Sequence, residues 1–130
     1  MFSYGTDFKT LAHNVRAGDT QTAHAYIDAL FGLANRLAGY TKPLIVSLEG
    51  ALRNSAVPLY ASLPFVYLKG DVSMAFNSAA YNCTPHCGES HMLSRLPHEI
   101  GVYLALTGKP LAEGDILQFN LANDRKRFSK

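Results

Sequence analysis

The amino-acid sequence predicts an α/β fold, and three observations lead to that class. Between Asp19 and Gly39, apolar residues recur at steps of three and four, which is the period of one face of a helix. Two apolar runs of strand length follow, at residues 44–48 and 65–68. Helical patterns return after Pro97. Because helices and strands alternate along the chain, the class is α/β rather than all-α.

The composition is that of a single domain with an ordinary core. The chain has 130 residues, of which 48% are apolar and 17% charged, and its formal net charge is +2. These values allow a packed core and give no broad electrostatic field that would indicate nucleic acid or a membrane surface. There is no run of about 18 apolar residues, so we expect no membrane-spanning segment. Residues 1–5 show neither a secretory signal nor an Arg-rich presequence, so a targeting segment is expected to be absent or removed.

The first half of the chain contains the best-marked helix and strand. Asp19 is a suitable N-cap for the long helix, and Gly39 is a suitable stop. Lys42 and Pro43 then open the strand at residues 44–48, which ends at the pair Glu49-Gly50. Its apolar residues predict that this strand is buried.

The second half is predicted to contain shorter elements. A short helix follows Pro58, a turn lies at residues 69–71, and residues 82–90 form a loop. Pro97 starts a helix that Gly108 ends, and a last short helix covers residues 115–121. Six aromatic residues lie within apolar patterns and are expected in the core: Tyr26, Phe31, Tyr60, Phe65, Phe76 and Tyr103.

Two cysteines and two histidines are crowded into nine positions, at Cys83, His86, Cys87 and His91. These residue types bind structural zinc, but such sites usually join two separated ligand pairs. We therefore predict no metal site, and a loop with two buried thiols is favoured. Two cysteines are also too few for the disulfide framework of a small secreted domain, which favours a reducing compartment.

The chain ends in a basic tail. Four of the six residues at 125–130 are Lys or Arg, a pattern that can contact phosphate. Contact of this tail with RNA is a weaker alternative to a solvated terminus, because chain ends are usually loose. We therefore divide the chain into a domain at residues 1–124 and a tail at residues 125–130.

Three parts of the chain match motifs of one enzyme superfamily. Residues 42–50 are similar to a strand that reads K-P-x-[IV]-A-x-[IMV]-x-G. Residues 93–108 contain LSRL and GVYLALTG, which match L-x-R-L and G-x-[FY]-L-A-L-T-G, and residues 2–11 match F-x-[AS]-G-G-D-[IV]-[KR]-x-L. On these residues the chain resembles the crotonase (enoyl-CoA hydratase/isomerase) superfamily and, within it, the 3-hydroxyisobutyryl-CoA hydrolases. The resemblance extends from Phe2 to about Asn123.

The resemblance implies a fold as well as a class of ligand. The fold would be a partial crotonase-like (ClpP/crotonase) spiral of β-β-α units. Domains of the superfamily are longer, so the chain would correspond to their central part and complete its core against a protein partner or a second copy. The resemblance also implies a mitochondrial location and an acyl-CoA thioester as substrate or ligand, with no resident cofactor.

The resemblance also locates the residues that would bind the thioester. Its hydrolysis needs two backbone NH groups aimed at the oxygen that becomes an oxyanion, and carboxylates that move protons. The paired glycines of the first oxyanion segment correspond to Gly5 and Thr6. The glycine run of the second corresponds to Asn54, Ser55 and Ala56, where side chains occupy space that glycine leaves open.

Both of the superfamily's principal acids are replaced in this sequence. One corresponds to Ser78 and the other to His86. The remaining acids near the motifs, Asp7, Glu49 and Glu89, are expected to be surface or capping carboxylates. Because catalytic residues act as a unit, we predict a catalytically impaired 3-hydroxyisobutyryl-CoA hydrolase-like protein.

Two alternatives remain open. A replacement hydrolytic centre would use Ser78 as nucleophile and His86 as base, although no G-x-S-x-G elbow surrounds Ser78. The other alternative is a non-catalytic structural or interaction subunit. Members of the superfamily have been recruited to the small subunit of the mitochondrial ribosome, and the resemblance permits such a role here.

Overall fold

A parallel sheet forms the centre of the protein, whose computed structural model describes residues 2–125. Its strands are β1 (Ile45–Arg53), β2 (Phe65–Ala75) and β3 (Asp124–Arg125), in the order β1-β2-β3. Both pairs are parallel, so each strand returns to the sheet through a crossover. The predicted α/β class and the crotonase-like arrangement are therefore matched by alternating helices and parallel strands.

Six α-helices and one 3₁₀ helix surround the sheet in the described part of the chain. A hairpin of two helices precedes β1, one short helix joins β1 to β2, and the rest follow β2. Their bounds are α1 (Phe8–Arg16), α2 (Thr20–Ala38), α3 (Ala56–Ala61), a 3₁₀ helix (Ser78–Tyr81), α4 (Glu89–Leu93), α5 (Ile100–Thr107) and α6 (Glu113–Gln118). None of these helices combines the length and the hydropathy needed to cross a membrane, as far as the described residues go.

The ends of the long helix α2 are confirmed. The Asp19 carboxylate accepts a hydrogen bond from the backbone NH of Thr22 at 3.0 Å, which satisfies one of the free NH groups of the first turn. At the other end, Gly39 donates its NH to the carbonyl of Asn35 at 3.0 Å. Local capping signals thus fix this helix.

The strands differ from the prediction in two ways. The first strand continues past Gly50 to Arg53, and only Leu48 and Leu52 along it are buried, so it is not a fully buried strand. The predicted turn at residues 69–71 is wrong, because these residues lie inside β2. Pairing moves from Leu48↔Leu68 to Gly50↔Val72, so β2 carries extra residues there as a bulge.

The later helices are shifted from their predicted bounds. The predicted loop at residues 82–90 gives way to α4 at Glu89. The helix after Pro97 begins only at Ile100, because His98 and Glu99 have positive φ values of 53° and 60°. Its predicted end is confirmed at Gly108, where φ is +61°. The last helix, α6, begins two residues before the predicted start at 115 and ends three residues before the predicted end at 121.

The core lies between the sheet and the helices α3 to α6. Its largest fully buried apolar side chains are Phe76, Leu48, Leu52, Leu68, Met74, Leu104 and Ile116. Of the six aromatic residues expected inside, Phe76 is buried, whereas Phe31, Phe65 and Tyr103 are more than two-fifths exposed. The prediction was wrong for these three, because an apolar pattern does not say which partner covers it.

Candidate functional site

The N-terminal segment runs beside β1, so the residues matched to the first oxyanion motif, Gly5 and Thr6, lie against those matched to the second, at 54–56. Ser3 pairs in parallel with Leu52, and its carbonyl accepts the NH of Arg53 at 3.0 Å. Gly5 follows with a φ of +72°, and a Cβ there would lie 2.5 Å from the Arg53 carbonyl oxygen. Only glycine therefore allows this approach.

The second segment turns sharply at the end of β1. Asn54 has a φ of 49°, and its NH donates to the Ala75 carbonyl at 3.0 Å, so this amide is already engaged. Ser55 then precedes α3. Within the described chain, the backbone NH groups of Thr6 and Ser55 have no hydrogen-bond partner. These two amides, rather than that of Asn54, are the free donors of the site.

The side chains of Thr6 and Ser55 meet between the two segments. Thr6 Oγ1 and Ser55 Oγ are 2.9 Å apart, and Thr6 Oγ1 is also 2.8 Å from His86 Nε2. Thr6 is 5% exposed and Ser55 is fully buried. The expectation that side chains occupy this region is thus met by a hydrogen-bonded pair of hydroxyls that shields the junction from solvent.

The His86 ring is held in a defined orientation. Nδ1 lies 3.2 Å from the Thr84 carbonyl oxygen and 3.8 Å from Glu89 Oε2. A proton on Nδ1 satisfies the carbonyl and leaves the Nε2 lone pair to accept from the Thr6 hydroxyl. The edge of the ring also contacts Phe8 of α1, with ring centroids 5.7 Å apart.

Glu89 is buried at the first turn of α4, which overturns its predicted surface or capping position. Its side chain is 1% exposed. Oε2 accepts from Ser78 Oγ at 2.8 Å and from the His86 backbone NH at 3.2 Å, whereas Oε1 has no partner among the described residues. Burial raises the pKa of Glu89, and the hydrogen bonds from Ser78 and His86 oppose that rise.

Ser78 and His86, which the resemblance aligns with the two replaced acids, are not hydrogen-bonded to each other in the described part of the chain. The Ser78 hydroxyl donates to Glu89 instead, and Glu89 also binds the His86 backbone. A carboxylate that the motif comparison did not single out therefore joins the two positions. The spacing of three residues between His86 and Glu89 is compatible with this link but does not by itself predict it.

The two other acids behave as expected. Asp7 caps α1 by accepting from the Thr10 NH at 3.0 Å, and its bonds to Thr10 lower the pKa of Asp7. Glu49 is exposed and pairs with Lys69 at 3.1 Å. Neither takes part in the cluster around Thr6.

The cysteine- and histidine-rich segment forms part of a cavity wall. Cys87 is buried and Cys83 is partly exposed, so only one of the two expected buried thiols is buried. Burial raises the pKa of Cys87. No group of three or more His, Cys, Asp or Glu side chains with metal-binding geometry occurs in the described residues.

A cavity of about 720 Å³ lies beside the site, between α2 and the helices α3 and α4. Its wall includes Cys87 and Gly88, which directly follow His86, and Pro58 of α3. Aliphatic and aromatic side chains form most of the remaining wall, and Arg95 also lines it. Such a space suits an apolar group attached to a polar or anionic one.

The fold and the site can be compared with known proteins. The sequence profile described as Enoyl-CoA hydratase/isomerase matches residues 1–127. This chain belongs to the enoyl-CoA hydratase/isomerase family. The assignment agrees with the three motifs and with the parallel-stranded fold.

Curated relatives of this family member include both hydrolases and ribosomal proteins. The 3-hydroxyisobutyryl-CoA hydrolase of Xenopus tropicalis mitochondria is 28% identical over 93% of this chain and 31% of its own length. The small ribosomal subunit protein mS47 of Arabidopsis thaliana is 27% identical over 93% of this chain and 30% of its own length. The chain thus spans about a third of the relatives it matches, and the predicted likeness to 3-hydroxyisobutyryl-CoA hydrolases is confirmed.

Solved structures of the enoyl-CoA hydratase/isomerase family confirm the fold. An enoyl-CoA hydratase from Polaromonas sp. JS666 superposes with a TM-score of 0.81 at 21% identity, covering 94% of this chain and 48% of that one. One from Rhodobacter sphaeroides gives 0.77 at 24% identity, covering 94% and 36%. The partial crotonase-like fold predicted from the sequence is therefore present.

Proposed function

We propose that this chain is a 3-hydroxyisobutyryl-CoA hydrolase-like protein that binds acyl-CoA thioesters and is impaired in hydrolysing them by the family's route. The observation that supports this most directly is the hydrogen-bonded pair of Thr6 and Ser55 hydroxyls between the two oxyanion segments. In the resting protein these hydroxyls stand beside the two free amides. A thioester oxygen must displace them before both amides can bind it.

The energetic cost of these changes supports impairment. Loss of one oxyanion donor costs roughly 3 kcal/mol in the transition state. Loss of a general acid or base removes a further factor of about 100 to 10,000. Because Ser78 and His86 correspond to both acids of the motifs, the second loss applies to the family's own route, whereas the first applies only while the Thr6 and Ser55 hydroxyls keep a thioester oxygen away from the two free amides.

The cavity supports retained binding. Its wall adjoins the Thr6–His86 contact through Cys87 and Gly88, and its lining is largely apolar. An acyl chain of a few carbons fits such a wall, while Arg95 in the lining offers a positive charge to an anionic group. We also propose a mitochondrial location, on the names of relatives such as the hydrolase of Gallus gallus.

Titration with an acyl-CoA, followed by calorimetry and thermal unfolding, tests the proposal together with an assay for released thiol. We expect saturable stabilisation, because a ligand bound only by the folded form raises stability, and thiol release far below typical enzyme rates. Ala34→Trp, which fills the cavity from α2, should abolish the stabilisation. Ala29→Trp on the exposed face of α2 is the matched control. Rapid hydrolysis, or no binding at all, contradicts the proposal.

A second candidate function is that of a non-catalytic subunit, and the helix α5 favours it. This helix is apolar on all sides, and Leu106 on it is 74% exposed, as Val102 and Tyr103 are about half exposed. Exposed apolar surface of this kind marks contact with another protein. In this case we propose that the basic tail at residues 125–130, of which 126–130 lie outside the described residues, contacts RNA.

The two candidates predict different outcomes of one comparison. If the second is right, acyl-CoA leaves the thermal unfolding unchanged, and the chain sediments with mitochondrial small ribosomal subunits. Leu106→Glu should then release it from the subunits, whereas Leu33→Glu on α2 should not. If the first is right, stabilisation by acyl-CoA is seen and sedimentation with ribosomal subunits is not.

A further inference from the structure

Thr6, His86 and Glu89 form a spatial chain of three groups: a hydroxyl, a base next to it, and an acid behind the base. Thr6 Oγ1 lies 2.8 Å from His86 Nε2, and His86 Nδ1 lies 3.8 Å from Glu89 Oε2. A nucleophile within hydrogen-bond reach of a base, with a third group behind that base, is the geometry of covalent catalysis. The sequence suggested His86 as a base only for Ser78, and it gave neither Thr6 nor Glu89 a role of this kind.

We propose that Thr6 Oγ1 accepts the acyl group of a bound thioester, with His86 as its general base and Glu89 as the residue that positions His86. The proposal rests on the proposed binding of acyl-CoA thioesters. It adds a covalent route by which an impaired family member retains a slow reaction. It also replaces Ser78, the nucleophile considered from the sequence, with a hydroxyl that is actually bonded to His86.

The tautomer of His86 suits this role. The Thr84 carbonyl oxygen, 3.2 Å away, accepts a hydrogen bond from a protonated Nδ1. Nε2 is then the unprotonated nitrogen that faces the threonine hydroxyl. Glu89 fixes the same residue from two directions, through the His86 backbone NH at 3.2 Å and through Oε2 near Nδ1. An ionised Glu89 stabilises the imidazolium that forms when His86 takes a proton.

The free amides complete the arrangement. In chymotrypsin-like serine proteases, the NH of the nucleophile itself and one further NH bind the oxyanion. Here the NH of Thr6 belongs to the nucleophile, and the NH of Ser55 lies on the neighbouring segment, whose hydroxyl is 2.9 Å from Thr6 Oγ1. Neither amide has a partner in the described chain. Entry of a thioester breaks the Thr6–Ser55 hydrogen bond and turns both amides to its oxygen.

Acylation of Thr6 and hydrolysis of the resulting ester need no reactant other than the thioester and water. Thr6 Oγ1 attacks the thioester carbonyl carbon, its proton passes to His86 Nε2, and an ester C–O bond forms. The C–S bond then breaks, and the proton on Nε2 passes to the departing thiolate, which leaves as a thiol. Water hydrolyses the ester in the same way, with His86 taking its proton and returning it to Thr6 Oγ1.

Intact-mass and peptide mass spectrometry test the acylation. The probes are 3-hydroxyisobutyryl-CoA and a small N-acetylcysteamine thioester that needs no CoA-binding surface. We expect a mass gain of one acyl group, located on Thr6. Thr6→Val should abolish it, Thr6→Ser should retain it, and Thr107→Val on the exposed end of α5 should leave it unchanged. His86→Gln should slow it by about 100-fold or more.

The role of Glu89 is tested by the pH dependence of the acylation rate, which a purely structural residue would not change. Glu89→Gln should lower the acylation rate at high pH and flatten its rise with pH, and Glu89→Asp should restore part of that rise. Equal pH profiles for the wild type and Glu89→Gln would remove Glu89 from the proposal. Circular dichroism of each variant checks that the protein is folded, so that missing acylation is not caused by unfolding.

The outcomes separate this inference from the proposed function. If acyl-CoA binds but neither probe labels Thr6, the inference is wrong and the proposed function stands. If acyl-CoA does not bind but the small thioester labels Thr6, the proposed function is wrong and Thr6 is the nucleophile. Labelling of Ser55 or Ser78 in place of Thr6 also overturns the assignment.

Discussion

The α1–α2 hairpin and the sheet with its later helices are held in place by different means. Along α1 no side chain is buried, and along α2 only Ala23 is. In the sheet, Leu48, Leu68 and Met74 are completely buried. The hairpin is ordered by local signals such as its caps, and the sheet by removal of apolar surface from water. The hairpin can therefore loosen while the core, which holds Glu89 and Ser55, stays intact.

The largest difference in the free energy of unfolding is expected when a leucine is replaced by alanine in each of the two regions. Leu52→Ala on β1 should lower the free energy of unfolding by about 2 to 5 kcal/mol, because it leaves a cavity in the core. Leu33→Ala on α2 removes a side chain that is already nearly half exposed. It should change the free energy of unfolding by about 0.5 kcal/mol or less. Urea denaturation measures both. Equal losses would show that the hairpin is part of the same core.

A second pair replaces a glycine in each region. A Cβ at Gly101 would lie 1.9 Å from the Leu93 carbonyl oxygen, where α5 crosses the end of α4. Gly101→Ala should therefore destabilise by about 1 to 3 kcal/mol. Gly32 on α2 has open space around it, so Gly32→Ala should stabilise by about 0.4 to 1 kcal/mol through the helical preference of alanine. Stabilisation by both substitutions would mean that α4 and α5 are not in close contact.

Glu89 gives a pH-dependent test of the core. Its folded pKa is raised above the ordinary 4.5, so its protonated form is favoured in the folded protein. The stabilisation is complete below pH 4.5 and is lost as the pH rises through the folded pKa. Glu89→Gln, which stays neutral, should melt at a higher temperature than the wild type near pH 7, and at a similar temperature below pH 4.5. A wild type that is more stable than the variant near pH 7 would contradict the raised pKa of Glu89, because it would mean that the folded protein favours the carboxylate form.

The smallest effect is expected at the cap of α2. Asp19→Ala removes the acceptor for the Thr22 NH, so the first turn of α2 should fray, while the melting temperature of the core stays nearly constant. Hydrogen exchange of residues 20–24 measures the fraying. Asp28→Ala in the exposed middle of α2 is the matched control and should leave the exchange of that turn unchanged. Fraying that lowers the core's melting temperature would contradict the separation of the two regions.

The parts of the fold that were predictable are those whose signals are local. The bounds of α2 and the end of α5 follow from Asp19, Gly39 and Gly108, which act on their own turns. The bulge in β2 was read as a turn because a Lys-Gly-Asp sequence suits both. Pairing with β1, which is distant in sequence, decides between them.

The site was predictable as a set of positions and not as a set of contacts. The motifs placed Gly5, Thr6 and Ser55 at the oxyanion segments, and the structure does bring them together. The Thr6–His86 contact joins residues that are 80 apart in the chain, which no local pattern records. Glu89 was missed because its burial depends on the reversal at Cys87 and Gly88, both with positive φ.

The unequal burial of the two cysteines gives the protein a natural reporter. Thiolates react with alkylating reagents, and burial keeps Cys87 in its unreactive thiol form, whereas Cys83 is partly open to solvent. Cys87 lies in the cavity wall that faces α2. A reagent such as iodoacetamide therefore labels Cys83 first, and the slower labelling of Cys87 reports any transient opening of the wall around it. No dye or engineered tag is needed to time that motion.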